Sequence, residues 1–210
     1  MNTTFKIMLL GLATWLACAC SQTHQEKPPS LKEAFSGKFL IGAAINAEQI
    51  NETDTSSVRV IKEHFNAIVA ENCMKSMSLQ PQEGVFDFTL ADKFVEFGER
   101  NNMQLYGHVL IWHSQAPAWF FTDSTGNNVT REVMIERMKT HIQTVMEHYK
   151  GRVKEWEVLN EAIMDDGTFR KTKFYEIIGE DYIQLAFQFA HEADPDAELY
   201  YNDYSMALPG

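Results

Sequence analysis

The stretch "EWEVLNEAIMDD", Glu155 to Asp166, sets Asn160 and Glu161 side by side where a short apolar run gives way to an acidic loop. Trp156, Val158 and Leu159 read as a β-strand bounded by charge, so Asn160 and Glu161 stand at its C-terminal exit. A carboxylic acid there is either a solvated loop charge, the common case for a lone Glu, or a positioned acid. The rest of the chain decides between these.

Outward from this stretch, apolar strand-like runs alternate with amphipathic helical ones. "FLIGAAIN" (39–46), "AIVAEN" (67–72), "QLYGHVLIWH" (104–113), "VKEWEVLN" (153–160) and "ELYYND" (198–203) read as five strands. Between them lie helical patterns: "VRVIKEHF" (58–65), "LADKFVEFGERNN" (90–102) behind a capping box of Thr89 and Asp92, and a helix containing "DYIQLAFQFAHEA" (181–193). A long helix from Arg131 is capped by Thr130, with Val133, Met134, Met138, Ile142, Val145 and Met146 expected on its buried side. All-apolar strands alternating with helices predict a parallel sheet covered by helices, either a doubly wound sheet or a (β/α)8 TIM barrel. No glycine-rich fingerprint follows the first strand, which counts against a dinucleotide fold. The strand ends carry Asn46; Glu71 and Asn72, with Lys75 just beyond; His108, Trp112 and His113; Asn160 and Glu161; and Asn202, Asp203 and Tyr204. In a barrel those ends form one face, the face that holds the active site. The barrel is the reading adopted.

Composition narrows the partners. With 29 acidic against 18 basic residues the net charge is −11, a field that disfavours nucleic acid and anionic surfaces. Residues 1–20 read as an export signal: Lys6, the apolar "IMLLGLATWL", then "ACACS". "WLACACS" has the form of a bacterial lipobox, so Cys18 or Cys20 is expected to be acylated, giving a membrane-anchored lipoprotein of the cell surface or periplasm; simple cleavage and secretion is the alternative. Residues 21–32 are read as a polar tether and 33–210 as the folded body. Cys73, the one cysteine of that body, is expected to be a buried small hydrophobe rather than a nucleophile.

The rim offers carboxylates, amides, histidines, a lysine and tryptophans, with no phosphate cradle. Trp112 and Trp119 suit the apolar faces of sugar rings, and glycosidic cleavage uses two carboxylates. Glu161 is the expected general acid, with Asn160 bonding the sugar 2-hydroxyl. His108 and His113, five residues apart, are expected on opposite strand faces, so no metal site is assigned. Plainer expectations are an ion pair between Glu71 and Lys75, strand packing for Tyr200 and Tyr201, and structural or solvated roles for His141, His148 and His191.

Three segments carry a family resemblance. "YGHVLIWHSQAPAWF" (106–120) resembles a Gly-His-x-Leu-x-Trp-His-x-Gln-x-Pro-x-Trp pattern, "WEVLNEA" (156–162) a Trp-Asp-Val-x-Asn-Glu-Ala pattern, and "ENCMKSMSLQPQEGVFDF" (71–88) a Glu-Asn-x-Met-Lys pattern followed by Pro-x-x-Gly-x-Phe-x-Phe. Together with "YYNDY" (200–204) they resemble the catalytic domain of family-10 glycoside hydrolases, the retaining endo-β-1,4-xylanases. The resemblance implies that Glu161 is the acid/base, that Asn160, His108 and Trp112 hold the sugar being cleaved, and that Glu71, Asn72 and Lys75 bond sugars on the non-reducing side. Gln115 and His113 are implied as supporting rim residues, and no cofactor is needed. Cys73 and Ser76 replace the family's usual Glu and Trp, and Glu157 replaces an Asp. The family's nucleophile is a second Glu on the seventh strand. It is therefore expected beyond residue 210, with the barrel truncated after about the fifth strand and this piece alone unstable and inactive. Two alternatives stand beside xylan hydrolysis: a carbohydrate-binding lipoprotein without catalysis, and hydrolysis of β-1,4-glucans by the same chemistry. Oligomeric state is not legible in the sequence.

Overall fold

The computed structural model describes residues 27–204. The stretch read as an export signal, Cys18 and Cys20, and residues 21–26 of the expected tether lie outside the described residues.

In chain order the elements are α1 (Leu31–Ala34), β1 (Gly42–Ile45), α2 (Ala47–Ile50), α3 (Thr55–His64), β2 (Ala67–Ala70), α4 (Ser76–Leu79), α5 (Thr89–Arg100), β3 (Gln104–Trp112), α6 (Arg131–His148), β4 (Glu155–Asn160), α7 (Lys173–Ile178), α8 (Tyr182–Ala193) and β5 (Glu198–Asn202), with a 3-10 turn at Ala118–Phe120. The five strands are all parallel and lie in the order β1-β2-β3-β4-β5. A doubly wound sheet reverses its strand order at a switch point. This sheet never reverses, which is the wall of a (β/α)8 barrel.

One apolar core fills the space between sheet and helices. Met134, Met138, Ile142, Val145 and Met146 of α6 join Phe94, Val95 and Phe97 of α5, Ala186 and Ala190 of α8, and Trp156 and Val158 of β4. The i, i+4 spacing predicts this face of α6 with one error: Val133 lies 42% exposed, and His141 takes the inward place. Thr130 caps α6 as expected, accepting the Val133 N–H. The capping box expected at Thr89 and Asp92 does not form. Asp87 accepts the Thr89 N–H instead, and Asp92 turns to His148 at 2.8 Å. Two glycines let elements approach: a Cβ on Gly107 would meet the Trp156 ring at 2.2 Å, and one on Gly98 would meet Leu105 at 2.3 Å.

α1 begins within residues 21–32, the stretch read as a tether. Ser30 and Glu33 close a capping box, and Lys32 donates to the Lys62 carbonyl at 2.7 Å. Cys73 is buried as expected, and burial pushes its thiol up to about 12, which leaves no thiolate at neutral pH.

Candidate active site

The C-terminal ends of the strands carry the expected side chains, and two networks organise them. The first joins the exits of β2 and β3. Lys75 Nζ donates to Gln115 Oε1 at 2.7 Å and to Asn72 Oδ1 at 3.1 Å, while Gln115 Nε2 donates to the same Asn72 oxygen at 3.1 Å. The ammonium also lies 4.9 Å from the centre of a Trp112 ring, within cation–π range. Lys75 is thus held in the rim by neutral partners and does not form the expected ion pair with Glu71. Burial pulls its pKa down, against the opposing pull of Glu71 and Glu161. Glu71 stays exposed, its N–H bonded to the Ile45 carbonyl at 2.9 Å.

The second network surrounds Glu161. Asn160 is buried and accepts the Asn202 amide at 3.0 Å, tying the ends of β4 and β5. Glu161 takes a left-handed backbone at φ +55°, and its N–H donates to the Asn202 carbonyl at 2.9 Å. The Tyr201 hydroxyl accepts the next two amides, Ala162 N–H at 3.0 Å and Ile163 N–H at 3.1 Å, and donates to Asp203. Burial and the Asp203 carboxylate push that phenol up to about 12, so it keeps the proton it donates. His113 Nε2 lies 3.8 Å from the Glu161 carboxyl. Burial first, and then the Arg170 cation, lower the His113 pKa, so the imidazole beside Glu161 is neutral at pH 7.

His108 bonds Glu157 through Nδ1 at 2.7 Å, which fixes the ring with its centre 6.2 Å from that of Trp112. The expectation that His108 and His113 point to opposite faces fails. The β3–β4 register shifts between His108 and Ile111, breaking the alternation, and both rings flank Trp112, His113 at 5.9 Å. Trp112 Nε1 and His113 Nδ1 are buried without a hydrogen-bond partner among the described residues.

Trp119 does not reach the rim. Its indole N–H donates to the Gln80 carbonyl at 3.0 Å, its ring stacks on Phe120 at 4.3 Å, and Arg137 covers it at 5.7 Å. Tyr201, for which the sequence suggests only packing within its strand, anchors the loop after Glu161. No local pattern marks this, because its partner amides lie 39 and 38 residues away in the chain. Glu157 stands out in the sequence only as a departure from the family pattern. The alternation Glu155-Trp156-Glu157 does carry a signal, since it sets both carboxylates opposite the buried Trp156.

The family model of glycosyl hydrolase family 10 matches residues 30–209. The chain belongs to that family. It is 52% identical over 200 residues to endo-1,4-beta-xylanase A of Xylanibacter ruminicola, covering 95% of this chain and 53% of that one. It is 42% identical over 196 residues to exoglucanase XynX of Acetivibrio thermocellus, covering 90% of this chain and 18% of that one. An intracellular xylanase of Thermoanaerobacterium saccharolyticum, solved as a Glu-to-Ala mutant with xylotetraose, superposes with a TM-score of 0.81 at 42% identity, over 86% of this chain and 58% of that one. The chain thus spans about half the length of the first of these relatives or less.

Proposed function

We propose that the protein to which this family-10 chain belongs hydrolyses internal β-1,4 bonds of xylan with retention of configuration, Glu161 acting as acid/base. The observation that carries this reading is the convergence on Glu161: a carboxyl at a barrel-strand exit, with Asn160 before it, a neutral His113 3.8 Å away, and Tyr201 and Asn202 holding its backbone and loop. Glu161 gives its proton to the leaving oxygen, and a second carboxylate about 5–5.5 Å away attacks the anomeric carbon. The glycosyl-enzyme ester then yields to water deprotonated by the Glu161 carboxylate. Nearby, Glu157 bonds His108 and Asp203 bonds Tyr201. We therefore assign the nucleophile to a Glu outside residues 27–204, in line with relatives roughly twice as long.

In this reading Asn160 bonds the 2-hydroxyl, an interaction that strengthens as the ring gains oxocarbenium character. His108 and Trp112 line the same sugar. Lys75, Asn72 and Glu71 meet hydroxyls of the next sugar toward the non-reducing end, with Gln115 bracing Lys75 and Asn72. Acylation at Cys18 or Cys20 would hold the enzyme on a bacterial membrane, facing the periplasm or the cell surface, where polymeric xylan is encountered.

The test is Glu161→Gln in the full-length protein. Xylan turnover should fall by about three orders of magnitude or more, since this one group supplies both the proton and the base, while xylo-oligosaccharide affinity is kept. Undiminished turnover would end the assignment. The likeness to an exoglucanase favours a second reading, β-1,4-glucan as substrate; kcat/KM for cellohexaose above that for xylohexaose would select it.

A further inference from the structure

Glu161 is a non-glycine residue in the left-handed region at φ +55°, a conformation that costs roughly 1–2 kcal/mol and persists only where the surroundings enforce it. Three tethers do so. Two come from β5: the Asn202 carbonyl on the Glu161 N–H, and the Tyr201 hydroxyl on the two following amides. The third is Arg170. Its Nε–H donates to the Glu161 carbonyl at 3.0 Å, a terminal amine donates to the Tyr204 hydroxyl at 2.8 Å, and the guanidinium lies 5.4 Å from the Tyr204 ring centre. The Arg170 N–H in turn donates to the Ala162 carbonyl at 2.8 Å, so the loop closes on itself around the acid.

These bonds divide the work. The β5 contacts fix the amide side of Glu161 and the loop beyond it. Among the described residues only Arg170 grips the carbonyl, the atom whose orientation sets the plane of the peptide that follows and, through the Cα geometry, the direction of the side chain. We propose that Arg170 is a positioning residue for the acid/base: by clamping the Glu161 carbonyl against a Tyr204 anchor, it aims the carboxyl at the leaving oxygen. The inference rests on the acid/base reading of Glu161.

A residue that serves only the proton donor leaves a kinetic signature that a general loss of structure does not. Cleaving xylan expels a strongly basic sugar alkoxide and needs the proton. Cleaving 2,4-dinitrophenyl β-xylobioside expels a weakly basic phenolate and does not, and kcat/KM reports that first step alone. For Arg170→Met in the full-length enzyme, kcat/KM on xylan should fall about ten- to a hundredfold, the penalty of a misaimed catalytic group, while kcat/KM on the dinitrophenyl substrate changes less than about twofold. Tyr204→Phe, which removes only the anchoring hydroxyl, should show the same selective loss in smaller measure, and it decides the matter if Arg170→Met does not fold. Equal losses on both substrates, or none on xylan, would overturn the role of Arg170 while leaving Glu161 as acid/base. A wild-type enzyme that cleaves the dinitrophenyl substrate but whose Glu161→Gln form keeps full xylan turnover would remove the reading beneath it as well.

Discussion

The two faces of the sheet are built on different principles. Toward the helices, Leu105, Trp156 and Val158 are buried against a continuous apolar core, and a few glycines set the spacing. Toward the barrel interior, Tyr106, His108, Glu155, Glu157, Glu198 and Tyr200 form cross-strand pairs: Gln104 to Glu155 at 2.6 Å, His108 to Glu157 at 2.7 Å, Tyr106 near Tyr200 at 6.3 Å. The outer face is held by packing among residues 27–204. The inner face holds polar groups in place for chemistry and is only half-buried there. Stability should therefore reside on one face and function on the other.

The sharpest way to break that contrast is to separate the faces. Residues 27–210 expressed alone should give no measurable release of reducing ends from xylan, because under the proposed mechanism the inner face then carries Glu161 without its second carboxylate. They should also aggregate, since Phe39, Leu40, Tyr200 and Tyr201 are exposed at the edges of the sheet. Turnover by this piece would show that its own carboxylates suffice. Light scattering that reports a stable monomer would count against the edge argument.

Within the full-length protein, outer-face substitutions should cost stability without selective effects on turnover. Trp156→Ala should destabilise by about 3–5 kcal/mol, the range for emptying a large buried aromatic site, measured by chemical denaturation. Gly107→Ala should cost roughly 1–3 kcal/mol, because its methyl would lie 2.2 Å from the Trp156 ring. The inner-face change Glu157→Gln should leave the denaturation midpoint nearly unchanged and raise KM for xylo-oligosaccharides, as His108 loses the carboxylate that orients it. An unfolding midpoint lowered as far as by Trp156→Ala would erase the distinction between the faces.

This division also explains what can be read from the sequence. The outer face is legible because burial leaves a periodic trace: five apolar runs, and the spacing of Met134, Met138, Ile142 and Met146 on α6. The strand exits are legible because polar residues end apolar runs. Where a bond joins distant segments, local pattern fails. His148 draws Asp92 away from the capping box expected at Thr89, Trp119 is drawn to the Gln80 carbonyl, and the register shift in β3 turns two histidines toward one tryptophan. Tyr201 and Arg170 are invisible for the same reason, as their role exists only once β5 lies beside the exit of β4.

In the pH dependence of stability the two faces should have opposite signs. On the outer side His141 is fully buried, bonded to Gln80 at 2.9 Å, and burial lowers its pKa from 6.5 to about 4. Between those values the unfolded chain binds a proton that the folded one excludes, so stability is full above pH 6.5 and is lost as the pH falls toward 4. Each pH unit crossed in that window costs about 1.4 kcal/mol, so the whole loss is roughly 3 kcal/mol. His141→Gln should flatten this acid limb. On the inner side Glu155 has its pKa raised, by burial first and then by Glu198 opposite it on β5. There the folded chain holds the proton that the unfolded chain releases, so stability declines as the pH rises from 4.5 through the folded value. Glu155→Gln keeps an acceptor for Gln104 and removes the charge, so its gain over wild type should be slight at pH 4 and larger at pH 7. A gain that shrinks with rising pH would mean that Glu155 is held ionised by a cation from outside these five strands, and the inner face would then be charge-paired rather than poised by burial.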